Sequence, residues 1–272
     1  MKALIFGLGS IGSRHARNLA ALRPGVNLIY ADPRADCIDG TPYGVWYDDW
    51  RFCLRNNPDA DIAIIASPTS EHLTHMAEFI WSYRLRAVYI EKPLCLPAEL
   101  YNAEVAAHYA TGKPYVVGHQ YRFAVPDAIR NSGFERLRFY ARDDLIGRYG
   151  PDCLGVMAAH PIDTALWILG PARAVHMATD GTAVWGTIEH ERGTSEHDYD
   201  ISVGPRESYV SAWSSVQMYT WHFPANNQMY IDALAAWLRW VEVGKQDDRT
   251  CTLAEGLVVV DVMSRVEVIE HA

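Results

Sequence analysis

The sequence predicts an α/β protein in two parts, a parallel sheet flanked by helices over residues 1–118 and an α+β domain with a mostly antiparallel sheet over residues 119–272. Three observations predict it. The chain opens on an apolar run, Leu4-Ile5-Phe6, which breaks at Gly7-Leu8-Gly9-Ser10-Ile11-Gly12 and resumes as a helical pattern through Ala16, Leu19, Ala20 and Leu22. As far as Gly118, apolar runs alternate with helical stretches, the order that builds a parallel sheet through right-handed crossovers. Beyond Gly118 helices become fewer and alternating strand-like runs take over.

Taken in order, each element has a local cause. In the opening turn Gly7 supplies a tight bend, Gly9 lets backbone approach a pyrophosphate, and Gly12 permits close packing of helix on strand. Free amides at Ser10 and Ile11 and the positive end of the helix dipole would hold the phosphates there without a basic side chain. The next strand, Val26–Ala31, ends at Asp32, twenty residues past Gly12, where a Rossmann dinucleotide-binding domain places the acid for the adenosine ribose hydroxyls. An acid there favours NAD over NADP, while nearby Arg34 keeps NADP open. A short helix over 48–54 follows, then a buried strand over 60–66 broken by Ser67-Pro68-Thr69-Ser70, which caps a helix running to Trp81. The strand 87–90 ends in Glu91-Lys92-Pro93, Pro97 opens a helix to about Thr111, and Tyr115–Gly118 is the last strand of this part. Ligands of open parallel sheets bind at the carboxyl ends of strands, so the loops at Gly7, Ser67, Lys92 and His119 are expected to converge.

In the second part, Leu137–Arg142 alternates and Leu154–Leu169 reads as a helix. Strands are expected at 172–175, 182–189, 199–203 and 209–213, and the run Glu189–His197 reads as a solvated hairpin loop. Two helices, Gln228–Val243 and Leu253–Glu270, close the chain around Gly244.

Composition limits the function. With 272 residues, 49% hydrophobic and 21% charged, the chain has room for two domains and a full core. No charged leader precedes an apolar stretch and no apolar run approaches about eighteen residues, so neither a signal peptide nor a membrane span is expected and the reading is cytoplasmic. Five scattered cysteines without a C-x-x-C pair point to reduced thiols. A net charge of −9 without a basic stripe disfavours nucleic acid and anionic membrane as partners and favours a small-molecule substrate. His72 and His75 lie three apart on one helix, yet no third ligand accompanies them, so no metal is expected.

Four stretches, GLGSIGSRHARNL at the start, Ser67-Pro68-Thr69 with His72, Glu91-Lys92-Pro93, and His160-Pro161-Ile162-Asp163, together resemble the Gfo/Idh/MocA oxidoreductase family. Gly118-His119-Gln120-Tyr121-Arg122-Phe123 and the closing helices match it too. The resemblance implies an NAD(P)-dependent oxidoreductase that passes hydride between nicotinamide and a sugar, sugar nucleotide or polyol. Lys92 and His160 would handle the proton, with Asp163 as a third catalytic candidate. It places Gly7, Gly9, Ser10, Ile11, Gly12, Asp32, Arg34, Ser67, Pro68, His72, Glu91 and Lys92 around the cofactor, with Glu91 read as a structural hydrogen-bonding partner. Lys92, Tyr121, Arg122 and His160 would meet the substrate. It further implies a cis peptide before Pro93 and a homo-oligomer.

One position departs from the pattern. Many sugar dehydrogenases of the family carry Asp four residues before the histidine, where this chain has Val156, and at helical spacing Val156, His160, Asp163 and Trp167 would share one side. An apolar residue cannot orient an imidazole. The departure leaves open an imine (C=N) reductase of the same fold, or a non-catalytic dinucleotide-binding sensor or scaffold.

Overall fold

The computed structural model describes residues 1–81, 85–110, 112–130, 133–149, 152–215, 217–223 and 226–269. In the first part the order is β1 (Lys2–Phe6), α1 (Ser10–Leu22), β2 (Asn27–Ala31), β3 (Val45–Tyr47), α2 (Trp50–Asn56), β4 (Ile62–Ile65), α3 (Thr69–Trp81), β5 (Ala87–Glu91), α4 (Leu100–Tyr109) and β6 (Tyr115–Gly118). Then come α5 (Asp127–Arg130), β7 (Arg136–Asp144), α6 (Ile146–Tyr149), α7 (Ala159–Leu169), β8 (Ala172–Thr179), β9 (Ala183–His190), β10 (Gly193–Asp200), β11 (Ser202–Trp213) and β12 (Met218–His222). The chain closes with α8 (Gln228–Val243), β13 (Cys251–Thr252), α9 (Leu253–Ser264) and β14 (Glu267–Val268). The expected helix end at Thr111 lies outside the described residues, and the helix expected over 253–270 ends at Ser264, after which Glu267–Val268 pairs with β8 as a strand.

Two compact units result, Met1–His119 with Asn227–Leu257, and Gln120–Asn226 with Val258–Ala272. The linear division at 118/119 is therefore corrected, because the segment 227–257 returns to the first unit. Its reason is apolar burial. Leu234, Trp237 and Leu238 of α8 are fully buried in the core that also holds Ala3, Ile5, Tyr89 and Val116. The Trp237 indole N–H donates to Pro114 O at 2.9 Å, so the ring's polar atom is satisfied within the same core.

The first unit's sheet has the order β13-β6-β5-β4-β1-β2-β3, all parallel except the edge strand β13, which pairs antiparallel with β6. Its central strands are buried on both faces, which is why they read as unbroken apolar runs. The register sets Phe6 beside Ile65, Ile65 beside Ile90, and Glu91 beside Gly118. The turns at Gly7, Ser67, Lys92 and His119 consequently leave the sheet along one edge.

The second unit's sheet has the order β12-β11-β7-β10-β9-β8-β14. Four of its six pairings are antiparallel; β7 with β10 and β8 with β14 are parallel. Leu137, Phe139, Val184, Ile188, Tyr199 and Val210 form its core with Ile162, Ala165 and Leu169 of α7 and Val259 and Val262 of α9. Two expectations fail here. The run 189–197 is no solvated loop, since it forms the end of β9 and the start of β10 with His190 and His197 buried. Residues 154–158 form a wider π turn rather than α-helix, so the spacing from Val156 to His160 is not that of a regular helix.

Candidate active site

Within the first unit the glycine turn is built by close approach. Gly7 has φ +85°, and a Cβ there would stand 2.5 Å from Ala66 O. A Cβ on Gly12 would meet Gly7 O at 1.9 Å, so α1 can press on the turn only with glycine. Gly9 is different, for a Cβ there meets nothing within 4 Å. It opens α1 without a side-chain cap, and the first turn carries no acid. The amides at Ser10, Ile11 and Gly12 thus present a helix N-terminus suited to an anionic group, and the residues present fit a dinucleotide pyrophosphate.

Asp32 is buried at the end of β2. Its Oδ2 accepts from Leu8 N at 2.7 Å and its Oδ1 from Arg34 N at 2.9 Å, which sets the carboxylate against the glycine turn. The mostly exposed Arg34 guanidinium reaches Oδ1 at 3.4 Å, and that hydrogen bond raises its pKa.

The turn after β4 is held by two histidines of α3. Ser67 Oγ and His75 Nδ1 are 3.0 Å apart, while His72 Nε2 lies 2.9 Å from Ser67 O and its Nδ1 2.9 Å from Pro93 O. Burial pushes His72 below its ordinary pKa against the carbonyls of Pro93 and Ser67, and pushes His75 down to about 4 with help from the charges of His72 and Arg51. Pro68 O accepts from Glu71 N at 2.8 Å and starts α3.

After β5, Glu91 is buried with His15 of α1, Nε2 to Oε1 at 2.6 Å, and its Oε2 accepts from Lys92 N at 3.3 Å. Burial pushes the Glu91 carboxyl up, but the hydrogen bond and charge of His15, with Lys92, hold it below the usual range. The Lys92–Pro93 peptide is cis.

In the second unit, Tyr121, Arg122, His160 and Asp163 come together. The Tyr121 ring lies parallel to His160 at 4.3 Å between centroids and stacks on Phe223 at 3.9 Å. Arg122 Nε donates to Asp163 Oδ2 at 2.9 Å and its NH2 to Oδ1 at 2.6 Å, with both residues almost fully buried. Asp163, expected in catalysis, and Arg122, expected at the substrate, are thus engaged with each other. Each oxygen of Asp163 accepts from the guanidinium, and the pair ties residues 120–123 to α7, which carries His160.

His15 and Phe223 escaped sequence reasoning, which weighed His75 only as a metal ligand. The signal for His15 was its place in the buried stripe of α1 with Ala16 and Leu19, where an imidazole needs a partner. Phe223 offered none.

Comparison with known proteins adds to this geometry. Residues 1–119 match the model of the oxidoreductase family with an NAD-binding Rossmann fold. Over 139 residues the chain is 30% identical to scyllo-inositol 2-dehydrogenase (NAD(+)) of Bacillus subtilis (strain 168), an alignment covering 48% of this chain and 39% of that protein. The matched region is thus well under two thirds of that relative. Myo-inositol 2-dehydrogenase from Lactobacillus plantarum has the same fold, with a TM-score of 0.80 at 17% identity over 97% of this chain and 95% of that one. So does the WlbA (WbpB) dehydrogenase from Thermus thermophilus in complex with NAD and UDP-GlcNAcA, with a TM-score of 0.78 at 17% identity over 100% and 97%. Among the described residues no helix is long and apolar enough to cross a membrane.

Proposed function

We propose that this chain, whose residues 1–119 match the Gfo/Idh/MocA oxidoreductase family model with its NAD-binding Rossmann fold, is as a whole an NAD-dependent dehydrogenase acting on a hydroxyl-bearing carbon of an inositol, sugar or sugar nucleotide. One observation carries the reading. An uncapped helix N-terminus behind Gly9, with Asp32 fixed to the same turn, shares a strand edge with the turn that carries Lys92.

When bound, the nicotinamide supplies the hydride acceptor. The chain's own groups do the rest. The amides after Gly9 hold the pyrophosphate, and Asp32 takes the ribose hydroxyls and disfavours a 2′-phosphate. Lys92 takes the proton from the substrate hydroxyl at its Nζ as the C–H pair leaves as hydride. In the second unit, His160 is assigned the substrate-hydroxyl contact, its ring set by Tyr121 and Phe223. Arg122 and Asp163 hold that stack and take no proton. A cytoplasmic location, from composition, and a homo-oligomer, from the resemblance, remain part of this reading as expectations.

The test is binding followed by turnover. Purified protein is titrated with NAD and NADP by intrinsic fluorescence, then reduced-nicotinamide absorbance is followed with inositols, free sugars, nucleotide sugars and cyclic imines. NAD binding tighter than NADP with turnover on a polyol or sugar supports the reading. Failure to bind either dinucleotide overturns it, turnover on imines alone replaces the substrate class, and tight binding without turnover favours a sensor.

A further inference from the structure

The residues on either side of Lys92 are each held by a buried histidine, and the two histidines come from different helices. Before the lysine, Glu91 Oε1 meets His15 Nε2 at 2.6 Å, and His15 belongs to α1, the helix that opens on the glycine turn. The other carboxylate oxygen accepts the amide N–H of Lys92 itself. After the lysine, Pro93 O lies 2.9 Å from His72 Nδ1, and the far side of the same ring lies 2.9 Å from Ser67 O in the turn after β4. His15 is 0% exposed, His72 1% and Glu91 5%.

Plain core packing does not account for such groups. A buried imidazole and carboxylate lose their hydration, and hydrophobic residues of similar volume are often as stable or more so. His15 Nδ1 is buried with no hydrogen-bond partner among the described residues, so the ring's hydrogen bond is the one from Nε2 to Glu91. A leucine at position 15 would fill the volume without that desolvation, and what it would lose is the grip on Glu91.

We infer that His15 and His72 are positioning residues which fix the backbone on both sides of Lys92 to the two helices that also carry the glycine turn and the Ser67 turn, so that a dinucleotide docked on those turns is felt at the lysine. The inference rests on the dehydrogenase reading for the lysine's role, but the pinning itself is independent of any substrate.

The chain has only four lysines, Lys2, Lys92, Lys113 and Lys245, which makes Lys92 individually observable. Reductive methylation with 13C-formaldehyde gives one dimethylamine signal per lysine in NMR, and the signal absent from Lys92→Arg is that of Lys92. In the wild-type protein without NAD that signal should stand apart from those of the other lysines, and NAD should shift it. In His15→Leu and in His72→Leu it should collapse toward the others and lose its response to NAD, while in His15→Leu the NAD dissociation constant stays within about threefold of wild type. His15→Gln keeps an N–H donor toward Glu91 and should restore both the position and the response. A Lys92 signal that is the same in wild type and both leucine variants overturns the inference, as does a leucine variant at position 15 indistinguishable from the glutamine one. Should a leucine variant fail to fold, the isosteric Glu91→Gln decides, since it must move the Lys92 signal. If wild-type protein binds no NAD, the dehydrogenase reading falls, and the NAD-free spectra still judge the pinning.

Discussion

Lys92 and Asp163 separate two roles that sequence alone makes look alike, a proton carrier in the proposed reaction and a carboxylate held in a buried ion pair. Lys92→Ala should lower turnover by about 10²–10⁴-fold, the span of general acid–base catalysis, with NAD affinity in fluorescence titration nearly unchanged. Turnover that survives intact would remove the proton role. Asp163 should behave otherwise, because its two oxygens accept from Arg122 in a buried pair. Asp163→Ala removes the counter-charge of a guanidinium that is itself 2% exposed, and urea unfolding should show a loss of about 3–5 kcal/mol. The double replacement Arg122→Met with Asp163→Leu should cost less than the single one, the mark of a pair whose worth lies in mutual compensation. Sequence spacing placed Asp163 three residues beyond His160 but could not show its engagement, since the partner lies forty-one residues earlier.

The hairpin of β9 and β10 shows at the next scale why some elements were legible and others were not. Helix α8 was read with its bounds intact, because its apolar stripe is regular and Gly244 follows in the left-handed region at φ +72°. The strand β3 is three residues long at a sheet edge and β12 is largely exposed, so neither shows an apolar alternation to find. In β10 the alternating buried positions are Ser195, His197 and Tyr199, which look polar and yet satisfy one another. Gly170 O accepts from His190 Nδ1–H, so neutral His190 accepts the Ser195 hydroxyl at Nε2. Ser195 Oγ then accepts from His197 Nε2–H, and His197 Nδ1 accepts the Tyr199 hydroxyl. Every proton is placed only while both histidines are neutral. Burial pushes His190 down and takes His197 to about 3. With folded values below the unfolded value near 6.5, the unfolded chain binds more protons, so stability is complete above about pH 7.5 and is lost as pH falls from there toward the folded values. His197 alone should remove about 1.4 kcal/mol between pH 7.5 and 5.5, measured by urea unfolding at each pH, and His197→Gln should flatten that slope.

Across the whole chain, the feature least legible in sequence is that the first unit is discontinuous. The change from helix-rich to strand-rich grammar after Gly118 marks where the chain leaves that unit, and it is visible because periodicity is local. The return at Asn227 leaves no such mark, since an amphipathic helix reads the same whichever core its stripe enters. What decides the matter is Trp237, 0% exposed, its ring against Tyr89 at 5.6 Å and its N–H on Pro114 O. Trp237→Ala should therefore cost about 3–5 kcal/mol in the unfolding of the first unit, the usual penalty for emptying a large buried aromatic site. The effect should appear in the transition that NAD raises, because a ligand at about a hundred times its dissociation constant adds roughly 2.7 kcal/mol to whichever unit binds it. Thermal scans with and without NAD make the comparison. A variant whose NAD-responsive transition stays at the wild-type temperature would return α8 to the second unit. A lowered transition that NAD still raises would show that a residue in the last quarter of the chain supports the fold of the dinucleotide site made by the first.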